Sequence, residues 1–492
     1  MDKEKRICEV ADAKAKYKSE ITKSAANARL TALFDEGSFK ATGAYVKANP
    51  TSYEKNNKID ALESVITGYG LIEGRLAFAY SQDFSKLNGA IGTVAAEKII
   101  ALYEMAAKNG APVISVLDSS GAKIEEGTDA LAAYGKIIKK VASLSGIITQ
   151  ISVVCGPCTG AMALVAQSAD YLIMDSKKGQ LYLTPPSVVK TVSGKESGSA
   201  EDALANGVAA KICDGDTACI NAARELMAYL PANNLEGPTF TCEDTDDINR
   251  VSAYIASIAD INAVNINDVI SDIADNGRFV EISDSFGKDI KCGFMSVAGS
   301  SVGFAACDIS VNDGFTSADA CVKAARHINY CDAFGIPFLT IVNSNGFAEV
   351  DNNAGSAAKL AAAYATASVP CVTLNLGKAY GSLFTVMGSK SVGADLTYAL
   401  DFSEISVMSP EKAVNFVWHD KINGTKDPVK AREELYEEWS IKMASPIQAA
   451  YKGNIDDVIS ADEARAVIAN AFEILSSKSD IAPTKKHANL PL

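Results

Sequence analysis

Histidine is scarce in this chain. Its 492 residues include only His327, His419 and His487, and none forms a paired motif. No imidazole is placed to complete a zinc site, and neither a Ser-His-Asp set nor a paired-carboxylate site can be picked out. Long hydrophobic runs are missing too. Every apolar stretch is interrupted by polar residues well before the length of a bilayer, so a membrane span is not expected. The opening MDKEKRICEVADAKAKYKSE is charged and has no apolar h-region, which argues against a secretory signal and for a cytoplasmic protein. Positive charge is in deficit: 46 Lys and Arg face 60 Asp and Glu, a formal net charge of −14. That balance excludes binding along a nucleic-acid backbone. It leaves room for one small anion in a local pocket.

What is present begins with length. A chain of 492 residues is too long for a single core and predicts two domains. Its eleven cysteines are scattered, which fits reduced thiols better than a disulfide framework. Two of them sit in VCGPCTGAMALVA (residues 154–166), a knot of Gly, Pro and small residues between a strand-like and a helix-like run. Without further ligands nearby, Cys155 and Cys158 read as structural, and no metal is expected.

The chain is written twice. TGYGLIEGRLAFAYSQD (residues 67–83) is answered by CGFMSVAGSSVGFAACD (residues 292–308), and GAPVISVLDSSG (110–121) by GIPFLTIVNSNG (335–346), all at an offset of 225. Asp118 thereby aligns with Asn343, and Pro112 with Pro337. In each half a Gly-turned hairpin (residues 70–80; 295–305) precedes an amphipathic helix (93–108; 318–334) and a buried strand (113–117; 338–342). VCGPCTGAMAL then pairs with GKAYGSLFTVM (residues 377–387) at an offset of 221 between Gly160 and Gly381. Residues 231–249, rich in Pro, Gly, Asn and acids, read as the linker. The expected domains are 1–240, opening with a helical arm over about the first 66 residues, and 241–492, whose last helix covers 461–476.

Both knots place a tight Gly turn between a buried strand and a helix of small residues. The first turn of a helix carries unpaired N–H groups and the positive end of the dipole. Two such amides aimed at one oxygen make an oxyanion hole. Close helix-on-sheet packing is the plainer explanation for one such turn. Its recurrence in both halves favours function.

Several stretches carry a family resemblance. RLTALFDEGSF (residues 29–39), YSQDF (80–84), DSSGAKIEEG (118–127), GIITQISVVCGPCTG (146–160), YCDAFGIP (330–337), KAYGS (378–382) and the ending KKHANLPL (485–492) occur in order over nearly the whole chain. GPCTGAMALVAQSADYLIMD with AEDALANGVAAKICD resembles the crotonase pattern. The chain as a whole resembles the carboxyltransferase subunit of biotin-dependent acyl-CoA carboxylases and decarboxylases. The resemblance implies an α/β fold of two tandem crotonase-like (ββα-spiral) domains from an internal duplication. It implies a CoA thioester as substrate, biotin on a separate carrier protein, and a homo-oligomer, a hexamer, with sites between the N-domain of one subunit and the C-domain of another. A biotin carboxylase or a membrane decarboxylase subunit is the further partner it allows; nucleic acid is none.

Carried over residue by residue, the resemblance puts one oxyanion hole at Gly160 and Ala161 and the other within Gly381, Ser382 and Leu383. The thioester is assigned to the first and the ureido carbonyl of carboxybiotin to the second. Substrate contacts fall on Ser120, Gly121, Ala122, Lys123 and Thr385. Departures from the family pattern are Ser120 for Gly, Lys123 for Arg, Met162 in the first turn, Ser382-Leu383 in the second, Asn345 for Pro, and Thr385 where an acyl-selecting Asp is common. Leu383 is expected to add bulk beside Thr385. Three other groups are weighed. Lys123, Lys378 and Lys390 meet CoA phosphates or are plain surface lysines. Arg326-His327 is a satisfied, partly buried pair. Ile441-Lys442-Met443 is a helix end and not a biotin attachment site. Open alternatives are the α subunit of a sodium-pumping methylmalonyl-CoA or glutaconyl-CoA decarboxylase, and a non-catalytic scaffold. A biotin-independent hydratase or isomerase is disfavoured by the second turn.

Overall fold

The computed structural model describes residues 3–49, 62–194, 197–240, 246–348, 353–423, 425 and 427–480. Two compact units divide the chain, Met1–Glu236 and Gly237–Leu492. The first is built on eight strands: β1 (Lys40–Thr42), β2 (Val65–Ile72), β3 (Arg75–Gln82), β4 (Val113–Ser119), β5 (Gln150–Thr159), β6 (Tyr171–Asp175), β7 (Gln180–Tyr182) and β8 (Lys211–Cys213). Their order is β1-β2-β3-β4-β5-β6-β8, with β7 paired to the end of β5. The hairpin β2–β3 is antiparallel, and from β3 onward the pairs are parallel.

The second unit repeats this plan. It comprises β9 (Phe279–Ile282), β10 (Ile290–Val297), β11 (Ser300–Cys307), β12 (Phe315–Thr316), β13 (Phe338–Ser344), β14 (Gly346–Phe347), β15 (Cys371–Tyr380), β16 (Leu396–Leu400), β17 (Glu404–Ser406) and β18 (Asp457–Ile459). The main sheet runs β9-β10-β11-β13-β15-β16-β18, and β17 pairs with β15 as β7 does with β5. The small β12–β14 pair stands apart.

The duplication reaches individual hydrogen bonds. Each hairpin turns on two residues of positive φ, Glu73-Gly74 (50° and 74°) and Ala298-Gly299 (52° and 78°). That is the primed turn whose twist matches paired strands. In both, an aspartate accepts from the two turn amides: Asp35 from Glu73 and Gly74, Asp275 from Ala298 and Gly299.

Helices supply the apolar partner each sheet needs. Helix Thr93–Asn109 buries Ala95, Ala96, Ile99, Leu102, Tyr103 and Ala106 at three- and four-residue spacing, and Gly110 ends it at φ 59°. Its counterpart Ala318–Ala333 starts on Ser317, whose side chain accepts from Ala320 N–H. Each fully buried Ile, Leu or Phe contributes about 1.5–3 kcal/mol, and this cover fixes the sheet whose strand ends carry the site. The expected helices and strands of the two repeats appear within a few residues of their sequence limits, as does Ala464–Leu475 near the end, but the opening arm is helical only over Lys3–Ile21 and Ala25–Leu33, and β1 already falls within its expected span. Among the described residues no helix is long and apolar enough to cross a membrane. Of the expected linker, residues 241–245 lie outside the described residues, as does the KKHANLPL motif.

Candidate functional site

In the first unit β5 ends at Thr159, the chain turns at Gly160 (φ 60°, ψ −132°), and helix Ala161–Gln167 begins. In the second, β15 ends at Tyr380, Gly381 (φ 63°, ψ −145°) turns, and helix Ser382–Val386 follows. Positive φ makes glycine necessary at both. The turns are pinned alike: Gly160 N–H donates to Tyr182 O on β7 and Gly381 N–H to Ser406 O on β17, each at 2.9 Å.

That bond narrows the expected donors. Gly160 and Gly381 shape the turn, but their amides are already committed. Ala163 N–H folds back to Gly160 O at 3.0 Å, so the amides of Ala161 and Met162 have no acceptor among the described residues. Those of Ser382 and Leu383 have none either. The Leu383 side chain is buried and Thr385 is exposed. Neither residue lines the cavity at this turn.

A second loop flanks each turn. After β4, Ser119 Oγ donates to Gly89 O (2.7 Å) and accepts from Gly121 N–H (3.1 Å). Ser120 N–H donates to Asn88 O, Ile91 N–H to Gly121 O and Lys123 N–H to Ile91 O, at 3.0, 2.9 and 2.9 Å. The half-buried Ala122 keeps the one amide of this stretch without an acceptor among the described residues. After β13 the pattern recurs through Ser344, Gly314, Asn345 and Ala348. Each loop packs on its turn: a Cβ on Gly121 would lie 3.1 Å from Thr159 Oγ1, and one on Gly346 would lie 3.7 Å from Tyr380 O.

Asp118 and Asn343 stand behind these loops. A Cβ on Gly156 would overlap the Asp118 carboxylate, and one on Gly377 would overlap the Asn343 amide. This is why Gly156 stands in the CGPC stretch. Asn343 Oδ1 accepts Lys378 N–H at 2.9 Å. The matching position in the first half is Pro157, which has no N–H to offer. Asp118 takes Arg29 instead, at 2.9 Å, and Arg29 also reaches Asp216 at 2.7 Å. Burial raises the Asp118 pKa, and Arg29 opposes that rise.

The remaining expectations sort by burial. Lys123 is only 3% exposed; its ammonium donates to Asn49 O (2.6 Å) and lies 3.6 Å from Glu126. Glu126 in turn accepts Thr93 N–H at 2.7 Å, capping the core helix. Lys123 is thus an interior strut, which corrects its reading as a surface cation or phosphate contact. Lys390 pairs with Asp456. Ser120 is exposed beside its loop. Cys155 and Cys158 are buried, and burial pushes the Cys155 thiol up to about 12 and raises Cys158 likewise. Arg326 and His327 differ in burial instead of sharing a half-buried place: Arg326 is exposed, while His327 is buried with Nε2 at 2.8 Å from Gly293 O. Lys442 follows helix Pro428–Trp439 and pairs with Glu438 at 2.8 Å.

Around the Gly381 turn opens a cavity of about 640 Å³, lined by Ser382, Asn345, Phe347, Lys378, Tyr380 and Glu404 among others. The Tyr380 hydroxyl donates to the Glu404 carboxylate. Burial and that carboxylate raise the phenol pKa, so it stays protonated. Tyr380 lay within a motif visible in the sequence. Glu404 did not: only the long-range pairing of β17 with β15 brings it here.

Two such turns in duplicated units match a known group over almost the full length. A model of the carboxyl transferase domain fits residues 20–490. The chain belongs to the carboxyl transferase family. It is 39% identical to the methylmalonyl-CoA decarboxylase subunit alpha of Propionigenium modestum, over 96% of this chain and 93% of that one. It is 35% identical to the methylmalonyl-CoA carboxyltransferase 12S subunit of Propionibacterium freudenreichii subsp. shermanii, over 95% and 92%. The solved transcarboxylase 12S, a hexamer with methylmalonyl-coenzyme A and methylmalonic acid bound, superposes with a TM-score of 0.93 at 32% identity, covering 100% of this chain and 99% of that one. The family and the crotonase-like α/β fold expected from the sequence therefore hold.

Proposed function

We propose that this carboxyl transferase family member moves CO2 between carboxybiotin on a separate carrier protein and the α-carbon of a short acyl-CoA, of the propionyl/methylmalonyl or acetyl/malonyl type. The observation that carries the reading is the paired turn: two strand-to-helix junctions of the same backbone form, each with uncommitted amides. Breaking or making the bond at the α-carbon places negative charge on the thioester oxygen. Amides already fixed in place stabilise that charge without reorganising, and losing one donor costs about 2.7–4 kcal/mol. In the first unit Ala161, Met162 and Ala122 supply such donors, and the thioester belongs there. In the second, Ser382, which lines the cavity, supplies one for the ureido carbonyl. A cavity of about 640 Å³ is of the size that takes small ligands, and its mixed donors and acceptor suit a ureido ring. Biotin, when bound, carries the CO2 and offers a nitrogen for proton relay; the chain itself needs no histidine base.

The decarboxylase direction is supported by the likeness to the Propionigenium subunit, and a membrane partner would then join the carrier. In the carboxylase direction the further partner is a biotin carboxylase. The reading includes a hexamer, since the similar transcarboxylase core is one. The deciding experiment mixes purified protein with malonyl-, methylmalonyl- or glutaconyl-CoA and either free biotin or a biotinylated carrier domain, and follows carboxyl loss by mass spectrometry. Biotin-dependent loss from one thioester supports the reading and names the acyl group. CoA-ester binding without any loss would favour the scaffold alternative.

A further inference from the structure

The two turns are alike in backbone but not in what surrounds them. Tyr380 and Glu404 correspond to Thr159 and Gln180, because β15 pairs Lys378 with Glu404 where β5 pairs Pro157 with Gln180. Only the second half therefore has an ionisable pair at this place. Glu404 is half-buried and lines the cavity together with Ser382. One of its oxygens accepts the Tyr380 hydroxyl. Among the described residues nothing donates to the other. A carboxylate offers about four lone-pair sites, so this one retains free acceptor capacity facing the cavity. The backbone holds the pair rigidly: Tyr380 immediately precedes Gly381, and Gly381 N–H is bonded to Ser406 O, two residues after Glu404.

A ureido ring presents a carbonyl acceptor flanked by nitrogens. One nitrogen carries the carboxyl group, and the other keeps its N–H. Backbone amides satisfy the carbonyl but cannot accept from the N–H. Resting on the carboxyl-transfer reading above, we infer that Glu404, oriented by Tyr380, is the acceptor for the uncarboxylated ureido N–H and so sets recognition of the biotin ring. Tyr380 is a positioning residue: its hydroxyl occupies one carboxylate oxygen and leaves the other to accept from the ring.

The test compares the full-length protein with Glu404→Met, Glu404→Gln and Tyr380→Phe. It uses free biotin and biotin methylated on the uncarboxylated nitrogen. Biotin binding is read by calorimetry, and KM values for biotin and for the CoA ester by turnover. A hydrogen bond to a charged acceptor predicts that Glu404→Met weakens biotin about tenfold to a hundredfold. The CoA-ester KM and the kcat at saturating biotin should stay within about twofold. Glu404→Gln, which keeps a carbonyl acceptor, should recover part of the loss and guards against a mere folding defect. Wild type should reject methylated biotin, whereas Glu404→Met should no longer distinguish the two. Tyr380→Phe should give a smaller loss, in biotin alone. Unchanged biotin affinity in Glu404→Met, or equal damage to both substrates, overturns the inference while leaving carboxyl transfer intact. Biotin binding that depends on Glu404 without any carboxyl transfer sustains it and overturns the transfer reading instead.

Discussion

Gly156, Gly135 and Gly381 show how differently one residue type can be used. Gly156 makes room for the Asp118 carboxylate, so Gly156→Ala forces that carboxylate and its Arg29 partner apart. The expected loss is about 1–3 kcal/mol, as for other overpacked sites, read by urea unfolding. Gly135 lies in the exposed face of helix Thr128–Ser143 with nothing within 4 Å of a built Cβ. Gly135→Ala should therefore change sign and stabilise by about 0.4–1 kcal/mol. At Gly381 a Cβ would meet only Val407 O, in ordinary contact at 3.4 Å, but the φ of 63° is the constraint. Gly381→Ala strains the backbone by about 1–3 kcal/mol and tilts the Ser382 and Leu383 amides. The loss of turnover should exceed the loss of stability, by about 10²–10³ in kcat. Equal losses in the two would argue that the turn has only a packing role.

At the scale of elements, helix Ala318–Ala333 is fastened to β10 by His327, whose ring lies between Phe294 and Phe338 with centroids 4.8 and 5.6 Å away. Burial first of all, with Lys323 nearby, lowers the imidazole pKa to about 4. The unfolded chain takes up that proton near 6.5, so it binds more protons than the native state as pH falls. Stability is full above about 6.5 and declines toward 4, by up to about 3 kcal/mol from this group. Unfolding midpoints measured across that window should flatten in His327→Gln. A slope unchanged by the substitution would place the titration elsewhere. The same helix shows what the sequence could reveal. Its apolar spacing and the repeat marked its existence and partner, because periodicity and burial are local signals. The sequence placed Arg326 and His327 together, yet neighbours on a helix point about 100° apart, so one faces solvent and the other the sheet. Glu404 was invisible for a different reason. Its place depends on a strand pairing across more than twenty residues, which no local pattern encodes. Lys123 misled because a lysine is normally exposed, and only the contacts with Asn49 and Glu126 reveal it as interior.

For the whole molecule, duplication poses a question that neither half answers alone: which turn serves which ligand. Both glycine turns keep their pinning bonds and free amides, so backbone geometry does not distinguish them. The side chains do, since the ionisable Tyr380–Glu404 pair and its cavity belong to the second unit. If the division of labour follows that asymmetry, the two halves should separate in binding experiments on the intact chain. Gly160→Ala should weaken the CoA ester and leave biotin affinity within about twofold, and Gly381→Ala should do the reverse. A loss of one oriented donor is expected to weaken its own ligand by about tenfold, the scale of a single net hydrogen bond of about 1–1.5 kcal/mol. Titration calorimetry with biotin and with a non-reactive CoA ester on each variant reads both affinities directly. The crossed result would exchange the assignments while keeping the chemistry. Loss of both ligands in each variant would overturn the split of roles between the two turns.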